Sequence, residues 1–436
     1  MRALYSLAMY LGTPLVLAYF FARSLREPAY RRRWAERFAR QRAPRWTESI
    51  VVHAASMGEV NAAAPLIKAL REHYPSLPLV VTTVTPTGSE RVRALFGESV
   101  EHSYAPLDLP GAVRRFLERT APRLVIVMET EVWPNLYAAA ARRRIPLLLA
   151  NACLSDASER AYHRWRRLSG PAFGSLAFAA AQTARDAERI VACGADPERV
   201  AVVGNLKLDM AVPGDIAGQA AQLRTQWGSQ RPVLVAGSTH EADEAVLLEA
   251  FHKLLPLFPD ALLILAPRHP ERFARTARSV EAAGLRLWQR SQGAACPPEA
   301  QCFLIDSVGE LLRYYACADV AFVGGTLAPI GGHNVIEPAA LGKPVLVGPH
   351  TDAVDELLRP MLDAGGAARV RDAEDLARRL VELFGDQQAR LDMGGAARAL
   401  VETGRGTVRR TVDIASRLLA RAGDAAGPAA LNSESD

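Results

Sequence analysis

The sequence predicts an α/β protein made of two doubly wound domains joined by a linker. Three observations predict it. Short runs rich in Val, Leu and Ile alternate with helical patterns along most of the chain, as in parallel sheets covered by helices. A Pro/Gly-rich stretch, "MAVPGDIAGQ" (residues 210–219), interrupts that alternation near the middle and reads as the linker. Beyond it the strand–loop–helix pattern starts again. The 436 residues are too many for one ordinary domain. The carboxyl ends of the two sheets are expected to face each other across a cleft, a common place for a substrate.

The chain opens on "ALYSLAMYLGTPLVLAYFFA" (residues 3–22), which carries no charge. As a helix, about 20 such residues are long enough to cross ~30 Å of hydrocarbon. Pro14 predicts a kink, which membrane helices tolerate. The run is long for a signal peptide, and the bulk of the basic charge follows it, so residues 1–22 read as a retained anchor. Residues 1–45 hold ten Arg against two Glu, leaving 42 basic and 45 acidic residues for the rest. The basicity is therefore N-terminal, and the charge of the body argues against a nucleic-acid partner. The positive-inside rule keeps the following domains cytoplasmic. Tyr30, Trp34 and Phe38 recur at i, i+4, i+8 among arginines, so residues 23–45 are expected to form a basic amphipathic helix on anionic lipid. Length and hydropathy leave open whether the first segment spans the membrane or lies in its interface.

The first domain, residues 46–209, reads as a βα series. "SIVVHAAS" is a strand, and a helix runs from about Gly58 to His73. "LPLVVTTVT" is a second strand, with a helix through "SERVRALFG". "PRLVIVMETE" is a strand ending in acids, and "IPLLLANA" is another. "SERAYHRWRRLSG" is a basic helical stretch, followed by "SLAFAAAQ" and "RVAVVGNLKLD". The second domain, residues 220–421, repeats the scheme. "RPVLVAGSTHEADEAVLLEAFHKLL" is strand, loop and helix; "DALLILAPRHPERF" is a strand; "CFLIDSVGELLRYYACAD" is strand, loop and helix. "DVAFVGG" and "KPVLVGP" are strands flanking a short helix in "NVIEPAALG", with Asn334 as its cap and Gly342 as its stop. The tail, residues 422–436, is low in complexity and is expected to be disordered.

Candidate chemistry lies just past the strands, where this architecture gathers ligands. Glu59, in the first turn of a helix, can serve as a general base if enclosure raises its pKa, or can simply complement the helix dipole. Glu129 and Glu131 after "LVIVM" are either a metal pair or one buried functional acid beside a solvated one. Lys207 in "GNLKLD" can meet a phosphate or a sugar carboxylate, or be an ordinary surface lysine. Arg268 in "APRHPERF" suits a phosphate through its guanidinium fork. The loop at Ser307, Val308, Gly309 and Glu310 can offer backbone groups to a base. Backbone N–H groups at Gly331–Asn334 can face an anion. Glu337 can accept hydrogen bonds from a ribose diol, or steady its own helix. Arg160, Arg164 and Arg167 form a solvated face or a patch for a phosphorylated lipid. Five scattered cysteines without a C-x-x-C, and nine histidines without H-E-x-x-H, suggest neither disulfides nor a zinc site.

Seven strings, "HAASMGEV", "VTTVTPTGSERV", "METEVWPNL", "GNLKLD", "PRHPERF", "FVGG" and "GGHNVIEPAALGKPVLVGPH", resemble in kind and order the 3-deoxy-D-manno-octulosonic acid (Kdo) transferases of lipid A–Kdo assembly. The resemblance spans nearly the whole chain. It implies a GT-B fold, with CMP-Kdo held mainly by the second domain. It implies an inverting transfer of Kdo to the lipid A precursor at the inner membrane, with no cofactor and no metal. Carried over, Glu59 is the base, and Glu129 and Lys207 support the transition state. CMP contacts then fall at Pro267 and Arg268, at Val308, Gly309 and Glu310, and at Asn334, Val335, Ile336 and Glu337. Two other classes compete: a nucleotide-sugar epimerase of the same fold, and a non-catalytic membrane-bound nucleotide-sugar binding protein.

Overall fold

Runs such as Ile50–Val52 and Val80–Val81 are apolar at consecutive positions, so both strand faces must be covered; that requires a parallel sheet between helix layers. The computed structural model describes residues 1–424 except 26–27, 42–45, 47, 211 and 295. It divides into two compact units, residues 1–209 with 404 onward, and residues 210–403.

In the first unit the strands are β1 (Ser49–His53), β2 (Leu79–Thr83), β3 (Glu101–Tyr104), β4 (Pro122–Met128), β5 (Leu147–Ala152), β6 (Phe178–Ala181) and β7 (Val200–Val202). They form one parallel sheet in the order β3-β2-β1-β4-β5-β6-β7. The winding direction reverses between β1 and β4, which makes their carboxyl ends the natural ligand crevice. Two helices matter below: α1 (Arg2–Ser24) and α2 (Met57–His73). Ser56 caps α2, its side chain accepting from the Glu59 N–H, and Leu66, Ile67 and Leu70 bury one helix face against Ile50 and Val52. Each such aliphatic side chain contributes about 1.5–3 kcal/mol by leaving water.

The second unit contains β8 (Val233–Thr239), β9 (Leu262–Pro267), β10 (Leu287–Gln289), β11 (Cys302–Leu304), β12 (Val320–Val323), β13 (Val345–Val347) and β14 (Ala367–Arg369). Its parallel order is β10-β11-β9-β8-β12-β13-β14, with the reversal between β8 and β12.

Several expectations need correction. Helix Thr407–Asp424 packs on the first unit, through Val412, Ala415 and Leu419 against the α2 side of its core, rather than on the second. The expected linker ends early, because Ile216 already begins a helix in the second unit. Of the expected disordered tail, residues 422–424 close the last helix and 425–436 lie outside the described residues. Among the described residues of 23–45, the expected amphipathic helix does not form. They hold two short 3-10 turns, Pro28–Arg31 and Glu36–Phe38, with Arg33 and Ala39 at positive φ. Pro28 opens the first turn and the left-handed residues break the helical path. Tyr30 is buried, and Arg37 lies between the rings of Phe20 and Tyr104, each 4.4 Å away. β3, β10 and β14, which have little pattern in the sequence, are edge or near-edge strands of three or four residues.

Candidate functional site

In the first unit Glu59 sits at the mouth of β1, in the first turn of α2. Its Oε2 accepts from the Ala55 N–H at 2.8 Å and its Oε1 from the Ser56 hydroxyl at 3.2 Å. The residue is only 9% exposed. Burial pushes its pKa up to about 7 against these hydrogen bonds, and the nearby charges of Glu129 and Glu131 push the same way. A carboxylate poised there can take a proton near neutral pH.

Glu129 and Glu131, on the β4 side of the crevice, do not converge as a ligand pair. Glu129 takes a positive φ of 54°. Its Oε1 meets Lys207 Nζ at 3.3 Å. Glu131 accepts from Trp133 Nε1 at 3.0 Å, and burial raises its pKa, helped by the Glu129 charge. Among the described residues no group of three or more His, Cys, Asp or Glu is arranged to hold a metal ion.

Lys207 stands on the 3-10 turn Leu206–Leu208, capped by Asn205. Asn151, at the end of β5 with a positive φ of 54°, accepts the Leu206 N–H at 2.9 Å and so fixes that turn. The sequence reading missed Asn151; its signal is a lone amide in the apolar run "LLLANA". It also missed His53, buried at the end of β1 with Nδ1 2.9 Å from the Thr82 hydroxyl and its ring edge-on to Trp133. Burial pulls His53 down to about 4, so it is neutral at physiological pH. Arg160 and Arg164 on helix Asp156–Arg164, and Arg167 on helix Arg166–Gly174, are all exposed beside exposed Trp165.

In the second unit the site is assembled by a residue that the sequence reading passed over. Asp243 is fully buried at the start of helix Glu241–Leu254. Its carboxylate accepts from the N–H groups of His240 (2.9 Å), Gly325 (2.7 Å) and Leu327 (3.0 Å), tying the ends of β8 and β12 together. Gly324 is required there, since a Cβ would lie 2.4 Å from the Ser238 carbonyl oxygen. The rings of His240 and His333 stack, their Nε2 atoms 2.9 Å apart. Burial, the neighbouring His240 and the Arg268 charge lower the His333 pKa to about 4. The visible signal for this cluster was "STHEADE" after β8 together with "GGHN".

The expected donor residues divide by what they expose. Pro267 ends β9, and Arg268 donates its backbone N–H to the Thr239 carbonyl while its side chain is exposed. Val308 is exposed and Gly309 turns the chain at a φ of 90°. The Glu310 carboxylate is already engaged by Ser307 and by Arg290 at 3.2 Å, which hold its pKa low despite the desolvation. Val335 and Ile336 are core residues, so only their backbone can face a ligand. Asn334 accepts the Ile336 N–H at 3.0 Å and donates to Glu337 Oε1 at 3.0 Å. The N-cap position of the helix Ile336–Ala340 is Val335 rather than the expected Asn334, which precedes it and bonds the Ile336 N–H. Burial raises the Glu337 pKa, opposed by the Asn334 hydrogen bond.

Residues 32–210 match the family model described as 3-Deoxy-D-manno-octulosonic-acid transferase (kdotransferase). The chain is similar to the 3-deoxy-D-manno-octulosonic acid transferase of Haemophilus influenzae, 37% identical over 424 residues that cover 96% of this chain and 99% of that one. It is similar to the enzyme of the same name from Bordetella pertussis, 39% identical over 429 residues, covering 94% and 98%. Among solved structures it resembles Acinetobacter baumannii MurG, 16% identical with a TM-score of 0.54, covering 85% of this chain and 100% of that one. At that identity the likeness concerns the fold, which is of the GT-B type.

Proposed function

The chain belongs to the Kdo transferase family and is a glycosyltransferase, and on that premise we propose that it transfers Kdo from CMP-Kdo to the lipid A precursor, lipid IVA. Transfer occurs with inversion and without a metal ion, on the cytoplasmic face of the inner membrane, where residues 1–22 hold the protein. The observation that carries this reading is Glu59, a buried carboxylate with a pKa of about 7 at the β1 crevice.

The acceptor hydroxyl gives its proton to Glu59 as its oxygen bonds to the anomeric ketose carbon of Kdo. The bond from that carbon to the phosphate oxygen breaks, and CMP leaves with the electron pair. Attack opposite the leaving group inverts the anomeric centre. The charge growing on the phosphate is met by Arg268 and by backbone N–H groups of the glycine loop. A monophosphate leaving group needs less neutralisation than a diphosphate, which supports transfer without a divalent ion. Glu129 and Lys207 form an ion pair that sets the field around the base. Glu337 is the partner of the cytidine ribose, with backbone groups of Val308–Glu310 toward the base. Arg160, Arg164 and Arg167 meet the acceptor phosphates.

Incubation with CMP-Kdo and lipid IVA, followed by mass spectrometry of the lipid, tests the reading. A lipid heavier by one or more Kdo units, with CMP released in proportion, is expected. CMP-Kdo altered without lipid present would favour an epimerase. Tight CMP-Kdo binding with no turnover would favour a binding protein.

A further inference from the structure

α1 has the length and hydropathy of a membrane span, yet it is fixed to the first unit at both ends. Near its start the Tyr5 hydroxyl donates to Asp108 Oδ2 at 3.0 Å, and the Ser6 hydroxyl donates to Asn135 Oδ1 at 3.0 Å. Asp108 is fully buried and also accepts the N–H groups of Asn135 and Leu136, so the anchor point belongs to the folded body. Near its end Phe20 stacks on Tyr30 and lies under the Arg37 guanidinium, which donates to the Val84 carbonyl at 2.9 Å. Arg31 Nε donates to the buried Ser24 hydroxyl at 2.8 Å.

Between these ends Met9, Thr13, Val16 and Leu17 are partly covered, while a Cβ at Gly12 would meet nothing within 4 Å. These four continue the i, i+3, i+4 stripe of Tyr5, Ser6, Phe20 and Ser24, and the contacts at the two ends hold the helix alongside the unit. The opposite stripe, Leu4, Leu7, Leu11 and Leu15, is exposed. From Tyr5 to Ser24 is ~28 Å at 1.5 Å per residue, nearly the full hydrocarbon thickness. A helix crossing the bilayer along that length would carry the polar residues to which its two ends are bonded to opposite faces of the membrane. One folded unit cannot supply both.

We propose that α1 does not cross the bilayer but lies in its plane, seating the Leu4–Leu7–Leu11–Leu15 stripe among the acyl chains of one anionic leaflet. The occupant of the stripe is lipid because the surrounding segment is basic: Arg2, Arg23, Arg31 and Arg32 are exposed along it, and residues 1–45 carry ten Arg against two Glu. This inference rests on the membrane reading above and adds its topology: the first residue and the catalytic units stay on the same side.

Two measurements on the full-length protein test it. In the first, Arg2→Cys and Glu249→Cys are probed with a membrane-impermeant maleimide on intact spheroplasts and after lysis, against the unsubstituted protein. Both positions should label only after lysis. Labelling of position 2 in intact cells and of position 249 only after lysis would overturn the in-plane arrangement. Labelling of both from outside would leave it standing and overturn the cytoplasmic orientation.

In the second, an environment-sensitive fluorophore is placed at Leu4→Cys, Leu11→Cys or Leu15→Cys. The protein is bound to vesicles of phosphatidylethanolamine and phosphatidylglycerol, and depth is read with lipid-borne quenchers. Equal, shallow depths at all three positions are expected. A deep position 11 between shallower ends would mean a span. Concentration-dependent pairing of the labels, without quenching by lipid, would mean that a second copy covers the stripe. Failure of the protein to float with vesicles would overturn the membrane reading itself.

Discussion

Lys207 Nζ lies 3.3 Å from Glu129 Oε1, an ion pair between two residues 78 positions apart that the turn at Leu206–Leu208 and the end of β4 bring together. The charge that Lys207 holds in check is the same one that pushes up the pKa of Glu59.

Lys207→Met should therefore leave Glu129 uncompensated. The pKa of Glu59 would climb above about 7, and the acid limb of the rate–pH profile should move to higher pH. Glu129→Gln should move it to lower pH. Loss of the Lys207 charge should also slow transfer by ~10²–10³. Single-turnover profiles of both variants check this; limbs that fail to move in opposite directions would separate the pair from the base.

Glu59→Gln should lower the transfer rate by ~10²–10⁴ and abolish the acid limb while CMP affinity stays unchanged. Stability should move the other way. The folded pKa, about 7, exceeds the ordinary 4.5, so the folded state holds the extra proton between those values and stability falls as pH rises through that window. Above it the charged form costs on the order of 3 kcal/mol, an upper bound that the glutamine escapes. Urea unfolding should find the variant more stable than the parent in mild alkali and equal to it below the window.

Glu337→Ala should weaken CMP binding by ~10- to 150-fold, the loss of one charge-assisted hydrogen bond at roughly 1.5–3 kcal/mol. It also removes the acceptor of Asn334 Nδ2. Calorimetric titration decides; an unchanged affinity would leave Glu337 as a carboxylate that only steadies its helix.

Asp243→Ala should damage the second unit more than any of these. Three backbone N–H groups lose the buried carboxylate they donate to, at about 1–3 kcal/mol for each left unsatisfied. Asp243→Asn keeps the shape and part of the accepting capacity, so it should retain the fold but bind CMP more weakly. If calorimetry and unfolding found both variants equal to the parent, Asp243 would have no part in shaping the glycine loop.

The sequence by itself determined the α/β class, the strands of the sheet interiors and the placing of Glu59 in the first turn of α2. These follow from local causes. A short apolar run rich in β-branched residues and bounded by turn residues favours a buried strand locally, and Ser56 can cap a helix without distant help. What only the tertiary structure decided depends on partners far along the chain. The pattern of residues 407–424 says that a helix face must be covered, but the first unit's core, at Leu66 and Leu70, decides which unit covers it. Two acids spaced as Glu129 and Glu131 look like a pair; Lys207 and Trp133 take them separately. Asp243 reads as one acid among several in "STHEADE" until β12 brings Gly325 and Leu327 to it. The hydropathy of residues 3–22 is the same for a helix that crosses a membrane and one that lies along a folded unit. That this helix is tied to the first unit shows only in Tyr5 meeting Asp108 across 103 residues, a contact that composition and periodicity do not encode.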